Sequence, residues 1–462
     1  MATLAARMAR FAMALDAQRI PDAIAECARE HILDALGVGL AASSLAGSEA
    51  LYRAVRALGA AEEATALGFP GRLPAASAAL LNGTLIHSLE YDDTHTGAIV
   101  HGSAVVVAAA LAAAERHGAT AKDLTRAVVA GWEILIRIGL AAPGAFQRRG
   151  FQVTAVGGPF AAALIGSLLA GRDEKAAVNA MGIAGSQSSG VFEFLAEGAT
   201  VKAMHPGWAA HAGLVAAELA AAGVTGPATI FEGAHGFYRA YADDGEAPAR
   251  LAELLDSLGE KWMIAEAAFK GWPCCHYIHP FLECAERMRA AGVAPGDIAA
   301  IECDVPEEEA MLICEPWERK QAPASGYEAK FSLPYALGLV LCGAEAGVRA
   351  FAGAADHAGA LALARRTSWR PWSGSGFPRR FAARVAVRLA DGRTLREEVA
   401  QVKGTPERPF SRAEIIAKFE RNAALAMDAA AARAMGEAIL EPGERAIRGM
   451  FQHLTRVRSI TR

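Results

Sequence analysis

The stretch Ser103-Ala-Val-Val-Val-Ala-Ala-Ala-Leu-Ala-Ala-Ala-Glu-Arg-His-Gly118 decides the fold class of this chain. Alanine and leucine are strong helix formers, and a run that is apolar on every side belongs inside a bundle rather than on a surface. Its apolar part, residues 104–114, is the longest such run and is too short to cross a bilayer. Ser103 is placed to cap its start and Gly118 to end it. Directly downstream, Thr120 and Asp123 form a capping-box variant ahead of a second helix over 124–140. Upstream, Pro21 suits the opening turn of a helix that carries Ile32, Leu33, Leu36 and Leu40 at helical spacing. Helix follows helix in this manner to about residue 265.

The character changes after Trp272. Residues 298–305 read as a strand, and Val385, Val387 and Leu389 alternate along a second. Ala390-Asp391-Gly392 is a hairpin signal that returns the chain along 394–399, and a helical pattern covers 333–346. Ser411 and Glu414 then form a capping box for a helix over 415–425, and the chain ends in alanine-rich helices like those of its first half. The predicted fold is mainly α with a smaller α+β domain. Residues 1–268 and 405–462 make a large helical-bundle domain, and 269–404 make an α+β lid domain.

With 462 residues the chain exceeds what one core usually organises, in line with two domains. Hydrophobic residues at 53% and charged residues at 21% supply a large core and exclude a disordered chain. A net charge of −4 leaves no electrostatic footprint for nucleic acid, and the basic end over 456–462 reads as a solvated tail. An anionic substrate must therefore be held by local positive groups. The seven cysteines contain no CxxC pair, which removes the framework of a zinc site or an iron–sulfur cluster. Reduced thiols and a cytoplasmic location fit this usage. Arg7 and Arg10 interrupt the N-terminal apolar stretch, so it reads as a first helix and not as a secretion signal. A soluble protein with neither nucleic-acid nor membrane partners is expected.

Residues able to do chemistry gather in a few stretches. His87-Ser-Leu-Glu90-Tyr-Asp92-Asp93-Thr94-His95, followed by His101-Gly102-Ser103, crowds carboxylates and imidazoles ahead of the apolar helix. Such groups are costly to bury unless paired. The cluster is either a capping and salt-bridge network or a general base oriented by a carboxylate, with His101 at the helix start. No HExxH pair accompanies it, and no metal is expected. Gly198-Ala-Thr200-Val-Lys202-Ala-Met-His205-Pro206-Gly207-Trp208 sets Lys202 just before a helix opened by Pro206, where free N–H groups favour anions. Phe269-Lys270-Gly271-Trp272-Pro273-Cys274-Cys275-His276-Tyr277-Ile278-His279-Pro280 places His276 and His279 outside another helix start. Lys330-Phe331-Ser332-Leu333-Pro334-Tyr335 alone reads as core packing. Arg148-Arg149-Gly150-Phe151-Gln152-Val153-Thr154 could clamp carboxylates through its guanidinium forks before Gly157-Gly158-Pro159 leads into an apolar helix.

In this order, these stretches resemble the MmgE/PrpD family. The resemblance rests on Asn82-Gly83 with the run from His87 to Thr94, on His101-Gly-Ser, and on the segments around Lys202, Trp272 and Lys330. The Asp391-Gly392 hairpin with Ser411 and Lys418-Phe419 fits as well, so nearly the whole chain is covered. The resemblance implies a large helical domain with a smaller lid, a homodimer, no cofactor, and chemistry on small polycarboxylates. Members include 2-methylcitrate dehydratase, cis-aconitate decarboxylase and iminodisuccinate epimerase.

Carried over by position, the resemblance implies a catalytic set of Glu90, Thr94, His101, Lys202 and Tyr335 with His276 or His279. All three chemistries pass through a carbanion-like species beside a carboxylate, which needs a base, an acid and positive charge. The expected roles are His101 for proton transfer, Glu90 or Asp93 to orient it, and Lys202 to neutralise the reacting carboxylate. Tyr335, His276 or His279 would close the site, and Arg149, Gln152, Thr154 and His205 would bind substrate. The leading expectation is a cofactor-independent lyase of dehydratase or decarboxylase type acting on a di- or tricarboxylate. An epimerase of an amino- or imino-dicarboxylate is the alternative, and a non-catalytic binding homologue a remote one. Two departures from the family pattern stand out: Gln152 replaces a histidine, and Glu90 replaces a frequent aspartate.

Overall fold

The structure is a computed structural model that describes residues 2–353, 355–377, 380–441 and 447. The basic run over 456–462 lies outside the described residues. The chain is mainly helical with a smaller α+β part. Its described residues form two compact units: the first takes those up to Ser88, Asp92–Ala267 and those from Ser411 onward, and the second takes Leu89–Tyr91 and those of Ala268–Phe410.

In the first unit, four helices pack on one another: Ala75–Ser88, Gly102–His117, Val153–Leu169 and Met204–Ala221. Their small side chains let backbones approach closely. A Cβ added at Gly207 would stand 2.2 Å from the Leu80 carbonyl oxygen, and one at Gly83 would stand 2.7 Å from the Gly207 Cα. Ala75–Ser88 and Met204–Ala221 therefore cross glycine to glycine, which no larger residue permits. The Val153–Leu169 helix includes Gly157-Gly158-Pro159, which the sequence suggests as a lead-in to it. Packing against Met204–Ala221 overrides their weak propensity.

The local stop and start signals act as expected at Gly118, which ends Gly102–His117 in the left-handed region at φ 67°. The boxes at Thr120/Asp123 and Ser411/Glu414 both form. Ser103 does not cap. His101 holds the cap position of Gly102–His117, and Ser103 lies inside the first turn, with its N–H and hydroxyl both donated to Asp93. A carboxylate accepts such bonds more strongly than a hydroxyl does, which is why the outside residue takes the role. The Asp22–Ser43 helix carries the Arg412–Ala423 helix on its flank, pinned by a Lys418–Asp34 ion pair of 2.7 Å.

The second unit is built on a four-stranded sheet in the order Thr367–Pro371, Ile298–Val305, Ala383–Leu389, Thr394–Val399. The last three strands are antiparallel neighbours, and Thr367–Pro371 joins Ile298–Val305 in parallel. The His279–Ala290 helix packs on this sheet and on the Leu333–Leu341 helix. Cys303, Val385, Val387, Phe281 and Leu337 lie in the common core. Among the described residues, no helix is long and apolar enough to cross a membrane.

Candidate active site

Within the first unit, helix beginnings meet the end of Ala75–Ser88. His101 opens Gly102–His117, Gln152 opens Val153–Leu169, and His205 lies in the first turn of Met204–Ala221. The opening positions of the last two helices receive no side-chain cap, and although the Met204 N–H bonds to the Val201 and Lys202 carbonyls of the turn before it, the positive end of each helix dipole lies at its start. Thr154 Oγ1 accepts the His101 N–H at 3.0 Å and ties two of these beginnings together.

Asp92 is the hub. Its Oδ2 lies 2.9 Å from His87 Nδ1 and 3.4 Å from His101 Nδ1, and the two imidazoles meet edge to face at 4.5 Å. Burial alone would raise the Asp92 pKa, but the two histidines outweigh it and hold the carboxylate well below its usual range. A carboxylate fixed in its anionic form orients an imidazole and stabilises the imidazolium that forms when a proton is taken. Asp92 Oδ1 and His87 Nε2 are buried without a hydrogen-bond partner among the described residues. Such atoms can accept or donate a bond to a bound group, a catalytic role being one of the reasons buried polar atoms are left this way.

Across from this hub, His205 Nδ1 and Gln152 Oε1 are 2.7 Å apart. Burial first, then His87 and Lys202, lowers the His205 pKa to about 4, so the ring is neutral near neutral pH. An amide oxygen only accepts, so Nδ1 carries the proton and the Gln152 amino group is left to donate. Lys202, on the single turn Thr200–Ala203 just before Met204–Ala221, is half-buried.

The loop between these groups is braced. His95 and Val100 bond each other's backbones, and Ile99 is forced to φ 55° at the tip. His95 Nδ1 accepts the Ala98 N–H, and its Nε2 lies 3.6 Å from Glu266, whose pKa falls to about 2 through His95 and Lys261.

Family models account for nearly all of this chain. The MmgE/PrpD N-terminal domain matches residues 6–249, and the MmgE/PrpD C-terminal domain matches residues 272–441. The chain belongs to the MmgE/PrpD family. It is similar to the cis-aconitate decarboxylase-like protein oryM of Aspergillus oryzae, at 26% identity over 88% of each chain. A cis-aconitate decarboxylase of Aspergillus terreus is 28% identical over 62% of this chain and 60% of its own length. The Mus musculus cis-aconitate decarboxylase is 26% identical over 88% of this chain and 84% of its own. This MmgE/PrpD protein is an enzyme of lyase type.

In the MmgE/PrpD enzyme, the residues expected at the site are distributed unevenly. His101, Gln152, Thr154 and His205 come together as described, with Lys202 in electrostatic reach of His205. Asp93 does not orient His101. It faces His31 at 2.6 Å and Ser103, and the carboxylate beside His101 is Asp92. Arg149 is half-exposed and pairs with Asp243 at 3.5 Å, a surface contact in place of the expected clamp. Thr94 is partly buried in the braced loop.

Glu90, Tyr335, His276 and His279 belong to the second unit. Glu90 is buried at φ 53°, a conformation costly for a side chain of this size, and Lys270 holds it by donating to its carbonyl at 2.9 Å. Tyr335 is buried in that unit's core, with its N–H on Ser332 Oγ. His276 and His279 meet edge to face at 4.9 Å, and His279 Nε2 donates to the Cys274 carbonyl.

Sequence reasoning gave no role to His87, Asp92, His31 or Lys270. The first two stood in the quoted cluster, and their spacing of five across a helix end was the available signal. A lone histidine in an apolar helix, such as His31, and a lysine in an apolar segment, such as Lys270, give no local signal.

Proposed function

We propose that the enzyme acts on a small di- or tricarboxylate by moving a proton next to a carboxylate, as a dehydratase or decarboxylase and without a cofactor. The observation that carries this reading is the buried Asp92 carboxylate held between His87 and His101. His101 takes or returns the proton, and Asp92 stabilises its charged form. Lys202 and the helix beginnings at Gln152 and His205 bind the reacting carboxylate and the charge that develops on it. The Gln152 amino group donates a hydrogen bond without taking part in proton transfer. The reading includes a cytoplasmic homodimer, as the family resemblance implied. Ligating atoms of His87, Asp92 and His101 lie within 4.8 Å of one another, close enough for a cation as well. The contact of 2.9 Å between His87 and Asp92 is a normal hydrogen-bond length, and the proposed chemistry uses it as one.

Incubating the purified enzyme with a panel of di- and tricarboxylates in deuterated water, followed by NMR, tests this reading. Elimination or loss of carbon dioxide is expected. Exchange of one α-proton with inversion and no elimination would identify an epimerase instead, and no change in any acid would overturn the reading.

A further inference from the structure

Asp92 and Asp93 are consecutive, yet they serve different partners. Asp92 holds His87 and His101, whereas Asp93 is drawn into the bundle. There His31, on the Asp22–Ser43 helix, approaches Asp93 Oδ2 at 2.6 Å, and Ser103 donates its hydroxyl to the same oxygen and its N–H to Oδ1 at 3.1 Å. All three residues are buried. The His31 ring packs on Trp132 at 5.3 Å. Cys27, Glu30, Asp34 and, behind Asp34, Lys418 are among the described titratable groups that act on this pair.

A buried ion pair is weak evidence for stability, because apolar residues of the same volume often do as well. It does fix geometry. Adjacent Cα atoms are about 3.8 Å apart, so a displacement of Asp93 carries Asp92 with it. Ser103 follows His101 by two positions, so the same anchor also sets the helix start that bears His101. A shift of 1 Å in a catalytic contact can cost about a hundredfold in rate.

The geometry points to His31 as a positioning residue: by clamping Asp93 it holds Asp92 and the start of the Gly102–His117 helix where His87 and His101 meet. The inference rests on the proposed proton-transfer role of His101. Burial alone would depress the His31 pKa, but Asp93 raises it to about 10, so the clamp is charged at neutral pH.

The test compares full-length wild type with His31→Gln and His31→Lys, using the acid that the panel identifies. Steady-state kinetics are read beside the side-chain 15N spectra of His87 and His101 and hydrogen exchange at the Ser103 amide. His31→Gln is expected to lower kcat at least tenfold with KM within about twofold, to shift both histidine spectra, and to speed exchange at Ser103. His31→Lys restores a cation and should recover part of kcat. If His31→Gln fails to fold, Ser103→Ala, which removes one contact to Asp93, should show the same pattern at smaller amplitude. Wild-type kcat with unmoved His87 and His101 spectra in a folded variant would overturn the inference. If wild type turns over none of the acids, the proton-transfer reading fails separately, while the spectra and the exchange rates still decide the positioning claim.

Discussion

His205 donates its Nδ1–H to Gln152 Oε1 across 2.7 Å, and this bond fixes what Gln152 can offer a substrate. With its oxygen occupied, the amide presents an N–H donor that does not titrate near neutral pH. A histidine, which the family resemblance implies at this position, titrates near neutral pH and could do acid–base work there, and a glutamine cannot. Weak or absent turnover of cis-aconitate and 2-methylcitrate is therefore expected, with a preference for another, smaller dicarboxylate. Gln152→His should raise side activity on both acids without loss of folding. Robust wild-type turnover of either acid, unchanged in the variant, would show that position 152 only holds substrate.

Asp92→Asn keeps the shape of the hub and removes its charge. The equivalent exchange in a serine-protease triad costs about ten-thousand-fold, because the imidazole loses both its orientation and its counter-charge. A fall in kcat of between roughly a hundred- and ten-thousand-fold is expected here. Near-normal kcat would remove Asp92 from the mechanism.

Lys202→Met should lower turnover by roughly 3–4 kcal/mol of barrier, a hundred- to thousand-fold, because an ammonium facing a developing charge stabilises the transition state more than the ground state. The melting temperature should be unchanged, since Lys202 is only half-buried on a single turn. Unaltered turnover would reduce it to a surface charge.

His31 makes stability pH-dependent in a calculable direction. Its pKa is raised to about 10 in the fold by Asp93 against the opposing effect of burial. The unfolded value lies near ~6.5. The contribution is therefore complete below ~6.5 and lost as pH rises through about 10, at up to ~1.4 kcal/mol per unit. Wild type should lose more melting temperature than His31→Gln when pH is raised over that window. Parallel curves for the two proteins would mean that His31 is neutral in the fold.

Dialysis against EDTA should leave turnover intact, since the proposed proton transfer uses His87, Asp92 and His101 as a hydrogen-bonded set. Loss of activity that one divalent ion restores would reassign those three residues as its ligands.

What the sequence made legible was local. Gly118, Thr120 with Asp123, and Ser411 with Glu414 act within a few residues, and each ends or starts the helix it was read to. Ser103 was misread because the residue that satisfies the helix start, Asp93, reaches it through space from ten positions upstream. Thr367–Pro371 went unread because a short parallel edge strand, ending in proline, takes its meaning from a partner over sixty positions away. At the site, the crowding of acids and imidazoles from His87 to His101 was visible, but which acid served which histidine was not. Consecutive aspartates look alike until the fold turns one toward His101 and the other toward His31.

The crossing of Gly83 with Gly207 bears on how such an enzyme can acquire new substrates. The Ala75–Ser88 helix, which carries His87 in its last turn, and the helix that begins near Lys202 and His205 are in backbone contact there. Any gain of bulk at the crossing would force the two backbones to shift, and His87 and His205 ride on them. Change of substrate on this frame is cheapest by exchanging side chains at the helix mouths, such as Gln152, and costliest at the glycine crossing.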